Sequence, residues 1–158
     1  MLDPEVIKAE QAWAQSVVTN AKSILIQNRK VASGRLVNSI RYNVNAQGKI
    51  SFLYDIDGKW VTQGRRRGSR FPPPAPILKW IKEKGIRGRD QKTGRFISDK
   101  SLTFLISRAI ARDGIKPLPF MKMAIEKSIK QLGKDLKKVL VKSEVKRWTN
   151  AIKKLVKP

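Results

Sequence analysis

The sequence predicts an α+β fold, a small antiparallel sheet packed by a long N-terminal helix and a long C-terminal helix, with an inserted helical arm. Three observations carry that expectation. Apolar residues recur at helical spacing through about Asn28, apolar and polar residues alternate on either side of Gln47-Gly48, and a lysine-rich amphipathic stretch begins near Met121.

The first helix is expected to start at Asp3-Pro4, where an acid can cap and a proline at the first helical position loses no needed N–H. Val6, Trp13, Val17, Ala21 and Ile24 follow at spacings of three, four or seven, with Ile7, Ala14, Val18 and Leu25 beside them, while Lys8, Glu10, Gln11, Gln15 and Lys22 fall mostly opposite. After Ser33-Gly34 the pattern becomes extended. Ile40, Tyr42 and Val44 alternate with Arg41, Asn43 and Asn45, Gln47-Gly48 supplies a turn, and Ile50, Phe52, Tyr54 and Ile56 alternate again, which predicts a hairpin of residues 40–45 and 49–56. Asp57-Gly58 is expected to close its second strand, and Trp60-Val61-Thr62 to form a third extended stretch ending at Gly64.

Pro72-Pro73-Pro74-Ala75-Pro76 is a stiff lead into a short helix carrying Ile77, Leu78, Trp80 and Ile81, stopped by Gly85. Ser98-Asp99 can cap the next helix, whose face is Leu102, Leu105, Ile106, Ala109 and Ile110, widened by Phe104 and ended by Asp113-Gly114. Pro117-Leu118-Pro119-Phe120 then bridges to the last helix. Its predicted stripe is Met123, Ile125, Ile129, Leu132, Leu136, Val139 and Leu140, and Trp148, Ile152 and Leu155 continue it past Ser143, where the helix either runs on or breaks. Both long helices are expected on one face of the sheet.

At 158 residues the chain is long enough for one domain with a real core, with a basic segment 64–99 inserted and a basic helical extension 121–158 appended. Lys and Arg number 35 against 12 Asp and Glu, a net charge of +23, while hydrophobic residues make up 41%, so the chain folds despite its charge. Cys and His are both absent, which excludes disulfides, thiolate nucleophiles, histidine bases and Cys/His zinc sites. No leader-like N-terminus and no membrane-length apolar run is present, so synthesis in a cytoplasm and no membrane partner are expected. No cofactor is expected either.

The charge is uneven. Residues 64–96 hold 11 Lys and Arg against 2 acids, and residues 114–158 hold 13 against 3, whereas 1–63 and 97–113 carry only +3 and +1. Gly64 to Phe71 contains Arg65, Arg66, Arg67 and Arg70 among two glycines, which marks a mobile loop that binds DNA phosphates or an acidic partner through arginine forks. Gly88 to Gly94 lacks the G-K-[ST] ending and the preceding strand of a phosphate loop. Asp55 and Asp57 are the one close carboxylate pair of the sheet region, and without a third acid they make a poor Mg²⁺ site, so no catalytic residue and no metal site is assigned. Trp60, Val61 and Trp80 offer more apolar surface than a small sheet covers and are expected at an oligomer interface.

Three stretches resemble the tail-completion, or neck, protein family of tailed bacteriophages. Ser33-Gly34-Arg35-Leu36-Val37-Asn38-Ser39-Ile40 is similar to that family's segment between first helix and hairpin. Tyr54 through Trp60-Val61-Thr62-Gln63-Gly64 is similar to its aromatic, extended and glycine run, and Gly114-Ile115-Lys116-Pro117-Leu118-Pro119-Phe120 to its step into the last helix. Gly34, Leu36, Ser39, Gly64, Pro119 and Phe120 are the motif positions, with Gly34 suited to a positive φ and Phe120 to a buried ring that pins the last helix. The resemblance implies a structural virion protein, made in the host cytoplasm and built into the neck. It implies a homo-oligomeric ring, a hexamer, around the DNA channel, joined to head-connector and tail proteins and contacting packaged DNA. The long segment from Arg65 to Asp99 and the basic extension depart from the family's compact pattern. The composition alone also suits a free basic nucleic-acid-binding protein.

Overall fold

The computed structural model describes residues 4–45 and 49–155, with six helices and a two-stranded antiparallel sheet among them. The elements are α1 (Pro4–Gln27), α2 (Arg35–Ser39), β1 (Arg41–Val44), β2 (Ile50–Leu53), α3 (Asp57–Gln63), α4 (Pro74–Lys84), α5 (Asp99–Asp113) and α6 (Phe120–Leu155). They group into two compact units, the first formed by Met1–Ile24, Arg41–Leu53 and Met121–Pro158, the second by Leu25–Ile40 and Tyr54–Phe120. The segment 64–99 lies wholly in the second unit.

In the first unit α1 packs against α6, and its predicted apolar face is the one buried: Ala14, Val17, Val18, Ala21 and Ile24. The two helices run antiparallel, since Asn20 Nδ2 donates to Ser128 Oγ at 2.8 Å near one end and Lys142 Nζ lies 3.6 Å from Glu5 near the other. On α6 beyond Phe120 the buried positions are Ala124 and Ser128, with Leu132, Leu136 and Val139 half-buried. That corrects the predicted stripe, because Met123, Ile129 and Leu140 are exposed. Small residues, Ala124 and Ser128 on α6 with Ala14 and Ala21 on α1, take part in the buried face, and side chains of that size allow two helices to pack closely. The helix is continuous through residue 143 to Leu155, and the side chains of Trp148, Ile152 and Leu155 lie outside the described residues, as do Asp3 and the Gln47-Gly48 turn.

The hairpin keeps its predicted faces. Tyr42 pairs with Phe52 and Val44 with Ile50, all four half-buried, while Arg41, Asn43, Ser51 and Leu53 are exposed. Trp13 meets Phe52 edge-on, ring centroids 5.9 Å apart, which seats the sheet on α1. The strands are shorter than the alternation suggests. Ile40 is the buried C-cap of α2, and β2 ends at Leu53, leaving Tyr54 and the exposed Ile56 outside it.

Two stretches expected to be extended are helical instead. Gly34 has the positive φ expected of it, 80°, but it opens the single turn α2, whose Leu36 is buried and whose Ser39 Oγ donates to the Leu36 carbonyl. Trp60-Val61-Thr62 lies inside α3. Asp57 supplies a negative charge to that helix's first turn and Gly64 ends it, with its N–H donating to the Trp60 carbonyl. Gly58, read as a strand stop, sits within α3 at a position where a Cβ would collide with the Tyr54 ring. α5 matches its predicted limits, with Ser98 capping it by accepting from the Ser101 N–H. Gly85 closes α4 as expected at φ 62°, but α4 begins at Pro74, inside the proline run read as an extended lead-in, because a proline in the first turn loses no needed N–H.

Candidate nucleic-acid interface

The second unit carries 19 Lys and Arg against 6 Asp and Glu, a net +13, and its carboxylates are mostly committed. Arg35 takes two of them: its Nε lies 3.0 Å from Asp55 Oδ2 and its Nη2 donates to Asp57 Oδ2. The Asp57 hydrogen bond, and then the charges of Asp55 and Asp57, raise the guanidinium pKa. The Asp55 N–H also donates to Ser39 Oγ at 2.9 Å. The carboxylate pair weighed as a Mg²⁺ site is thus closed by an arginine, and among the described residues no group of three or more acids could hold a metal ion. Asp113 accepts two bonds from Arg112 and sits near Arg67. That hydrogen bonding, more than the charges of Arg112 and Arg67, holds its pKa below the usual carboxylate range.

The arginine loop is fixed by the fold, which corrects the expectation of a mobile segment without local anchors. Arg65 and Ile115 exchange backbone hydrogen bonds at 2.9 Å in both directions, and the Gly68 N–H donates to the Ala111 carbonyl at 2.8 Å. Gly64 (φ 64°) and Gly114 (φ 74°, ψ −169°) flank this bridge, and a Cβ on either would overlap the opposite backbone, at Ile115 O and Arg65 O respectively. The four arginines therefore divide. Arg65 is half-buried, with Nη2 donating to the Arg70 carbonyl and Nε enclosed, so it belongs to the loop's scaffold. Arg66, Arg67 and Arg70 are exposed.

Phe71, at the end of the same loop, stacks on Phe104 of α5 with centroids 6.0 Å apart and planes inclined by 16°. Sequence reasoning placed Phe104 on the buried face of α5. In the structure that face is Leu102, Thr103, Ser107 and Ala111, while Phe104 is 58% and Phe71 54% exposed. Small and hydroxyl residues take the inner face because α5 packs on α4 around the fully buried Ile81. No signal in the sequence pairs two phenylalanines 33 positions apart. An aromatic–cation contact lies on the excursion between α4 and α5, which is a small hairpin rather than a phosphate loop. There Arg89 stands over the Phe96 ring, 4.5 Å from its centroid, and Asp90 organises the turn by accepting from the N–H groups of Lys92 and Thr93 and from Thr93 Oγ1.

The expected interface residues separate in the same way. Trp60 is 63% exposed and Trp80 is also exposed, but Val61 is half-buried and its carbonyl accepts from the Leu118 N–H at 3.0 Å. Phe120 is fully buried, its ring edge-on to Tyr54 at 5.3 Å. Among the described residues no helix is long and apolar enough to cross a membrane. No family model, no curated protein and no solved structure matches the chain.

Proposed function

We propose that this chain is a structural protein of the phage head–tail junction, a neck or tail-completion subunit that forms a homo-oligomeric ring around the DNA channel and joins head connector to tail. One observation carries the reading. The three separated stretches that resemble the neck family converge on one another within the second unit. Ser39 and Arg35 of the first meet Asp55 and Asp57 of the second, Leu36 lies against the position of Gly58, and Val61 and Tyr54 of the second meet Leu118 and Phe120 of the third. Residues that a family motif keeps in common are expected to build one structural element, and these build the knot from which α6 departs.

In this reading Trp60 and Trp80 lie at contacts between subunits or with neighbouring neck proteins, and the exposed arginines face packaged DNA or acidic neighbours in the ring stack. The chain catalyses nothing and needs no cofactor. Native mass spectrometry of the purified chain, with and without DNA, tests the assignment: a closed homo-oligomer is expected, weakened by Trp60→Glu. A chain that stays monomeric with DNA absent, and binds DNA as a monomer, overturns the ring in favour of a free nucleic-acid-binding protein. DNA incubated with the chain and Mg²⁺ should remain intact.

A further inference from the structure

We infer that the stacked Phe71–Phe104 pair is a base-stacking platform for single-stranded nucleic acid, with Arg70, Lys100 and Arg108 as its phosphate contacts. The two rings are nearly parallel and each is more than half exposed, so ring surface of both is open to solvent. Their surroundings are cationic. Arg70 precedes Phe71 directly, and Lys100 and Arg108 stand four residues before and after Phe104 on α5, which puts all three α5 side chains on one helix face. All three cations are exposed and none is in an ion pair among the described residues. Arg66 and Arg67 extend the positive surface along the same loop.

The occupant follows from that combination. An exposed aromatic pair favours a flat, polarisable partner, and a rim made of cations favours an anion. A nucleic acid strand with unstacked bases supplies both at regular spacing, its bases sequence-tolerantly stacked on the rings and its backbone tracked by the cations. A duplex hides its base faces. A second copy of this chain would bring more positive charge to an already positive surface. The loop is also held in place before any ligand arrives, by the Arg65–Ile115 bridge and the Gly68–Ala111 bond, so little ordering entropy opposes binding.

Fluorescence anisotropy with a labelled oligothymidylate, a duplex of equal length and polyglutamate tests the inference on the full chain. The wild type should bind the single strand more tightly than the duplex. Phe104→Leu and Phe71→Leu, each checked for an unchanged circular dichroism spectrum and melting point, should weaken single-strand binding about tenfold or more without altering its salt dependence. Phe104→Trp should retain it. Arg108→Ala should instead reduce the slope of log affinity against log salt by about 0.7, the loss of one single-strand phosphate contact. Equal single-strand affinity in both leucine variants overturns the inference, as does a failure of the wild type to prefer the single strand. If the leucine variants lose polyglutamate binding instead, the surface belongs to an acidic protein and the nucleic-acid assignment is wrong. The inference does not rest on ring assembly, so a chain that oligomerises yet shows no phenylalanine dependence fails here alone.

Discussion

Residues 64–96 and residues 114–158 carry nearly the same excess of positive charge and present it by opposite means. The first stretch is held by contacts distant in sequence: the Arg65–Ile115 exchange, the Gly68–Ala111 bond, the Phe71–Phe104 stack and the α4–α5 packing. The second, beyond Phe120, is one helix of 36 residues whose backbone bonds are local. Its packing is described only along one stripe, from Ala124 and Ser128 to Val139. Charge on the first is displayed at fixed positions beside aromatic rings, and the described lysines of the second, from Lys122 to Lys142, lie exposed along a single helix. Nearly equal net charge therefore supports two kinds of electrostatic surface, one able to position a ligand and one able mainly to attract it.

Phe120 is fully buried at the start of α6, and Phe120→Ala should lower stability by about 3–5 kcal/mol, read as a shift of the urea midpoint. Loss of less than about 1 kcal/mol would mean that this ring is not an anchor of the second unit's core. Next come two identical substitutions with opposite signs. Gly114→Ala should destabilise by at least ~1–3 kcal/mol, because the position needs a glycine-only backbone conformation and abuts the Arg65 carbonyl. Gly133→Ala in α6 meets nothing within 4 Å and should stabilise by roughly 0.5–1 kcal/mol through helix propensity alone. If both change stability in the same direction, the contrast between long-range and local support fails.

The smallest effect is local and acidic. The Asp90 carboxyl is held below the usual carboxylate range, first by the Thr93 N–H, then by the Thr93 hydroxyl and the Lys92 N–H. A depressed folded-state pKa contributes stability that is present above the ordinary aspartate value of about 4 and is lost as pH falls through the folded value. Amide exchange at Lys92 and Thr93, corrected for intrinsic rates, should therefore accelerate below about pH 4, while the amides of α6 around Ser128 do not follow. Uniform acceleration along the chain would indicate global acid unfolding instead.

The site was legible only in part. The arginine cluster was visible as composition, and Trp60 as an exposed apolar excess, because charge density and apolar surplus are properties of a short window. The role of Arg65 was not, since a guanidinium turned toward the Arg70 carbonyl looks in sequence like its three neighbours. Asp55 and Asp57 were read as a pair, but Arg35, twenty positions upstream of Asp55, is what occupies them.

The sequence by itself determined the α+β class, the face of α1, the in–out pattern of the hairpin, the end of α4, both limits of α5, and the basic balance. Each follows from periodicity, capping residues or charge within a few turns of chain. Tertiary structure alone decided which side of α5 and α6 is buried, that residues 35–39 and 57–63 are helical rather than extended, and that Phe71 meets Phe104. On α6 the buried face carries Ala124 and Ser128 and leaves Met123, Ile129 and Leu140 exposed, a choice of helix rotation against α1 that apolar periodicity alone does not make. At Gly64 and Gly114 the requirement for glycine arises from a backbone fifty positions away, a constraint that no local window contains.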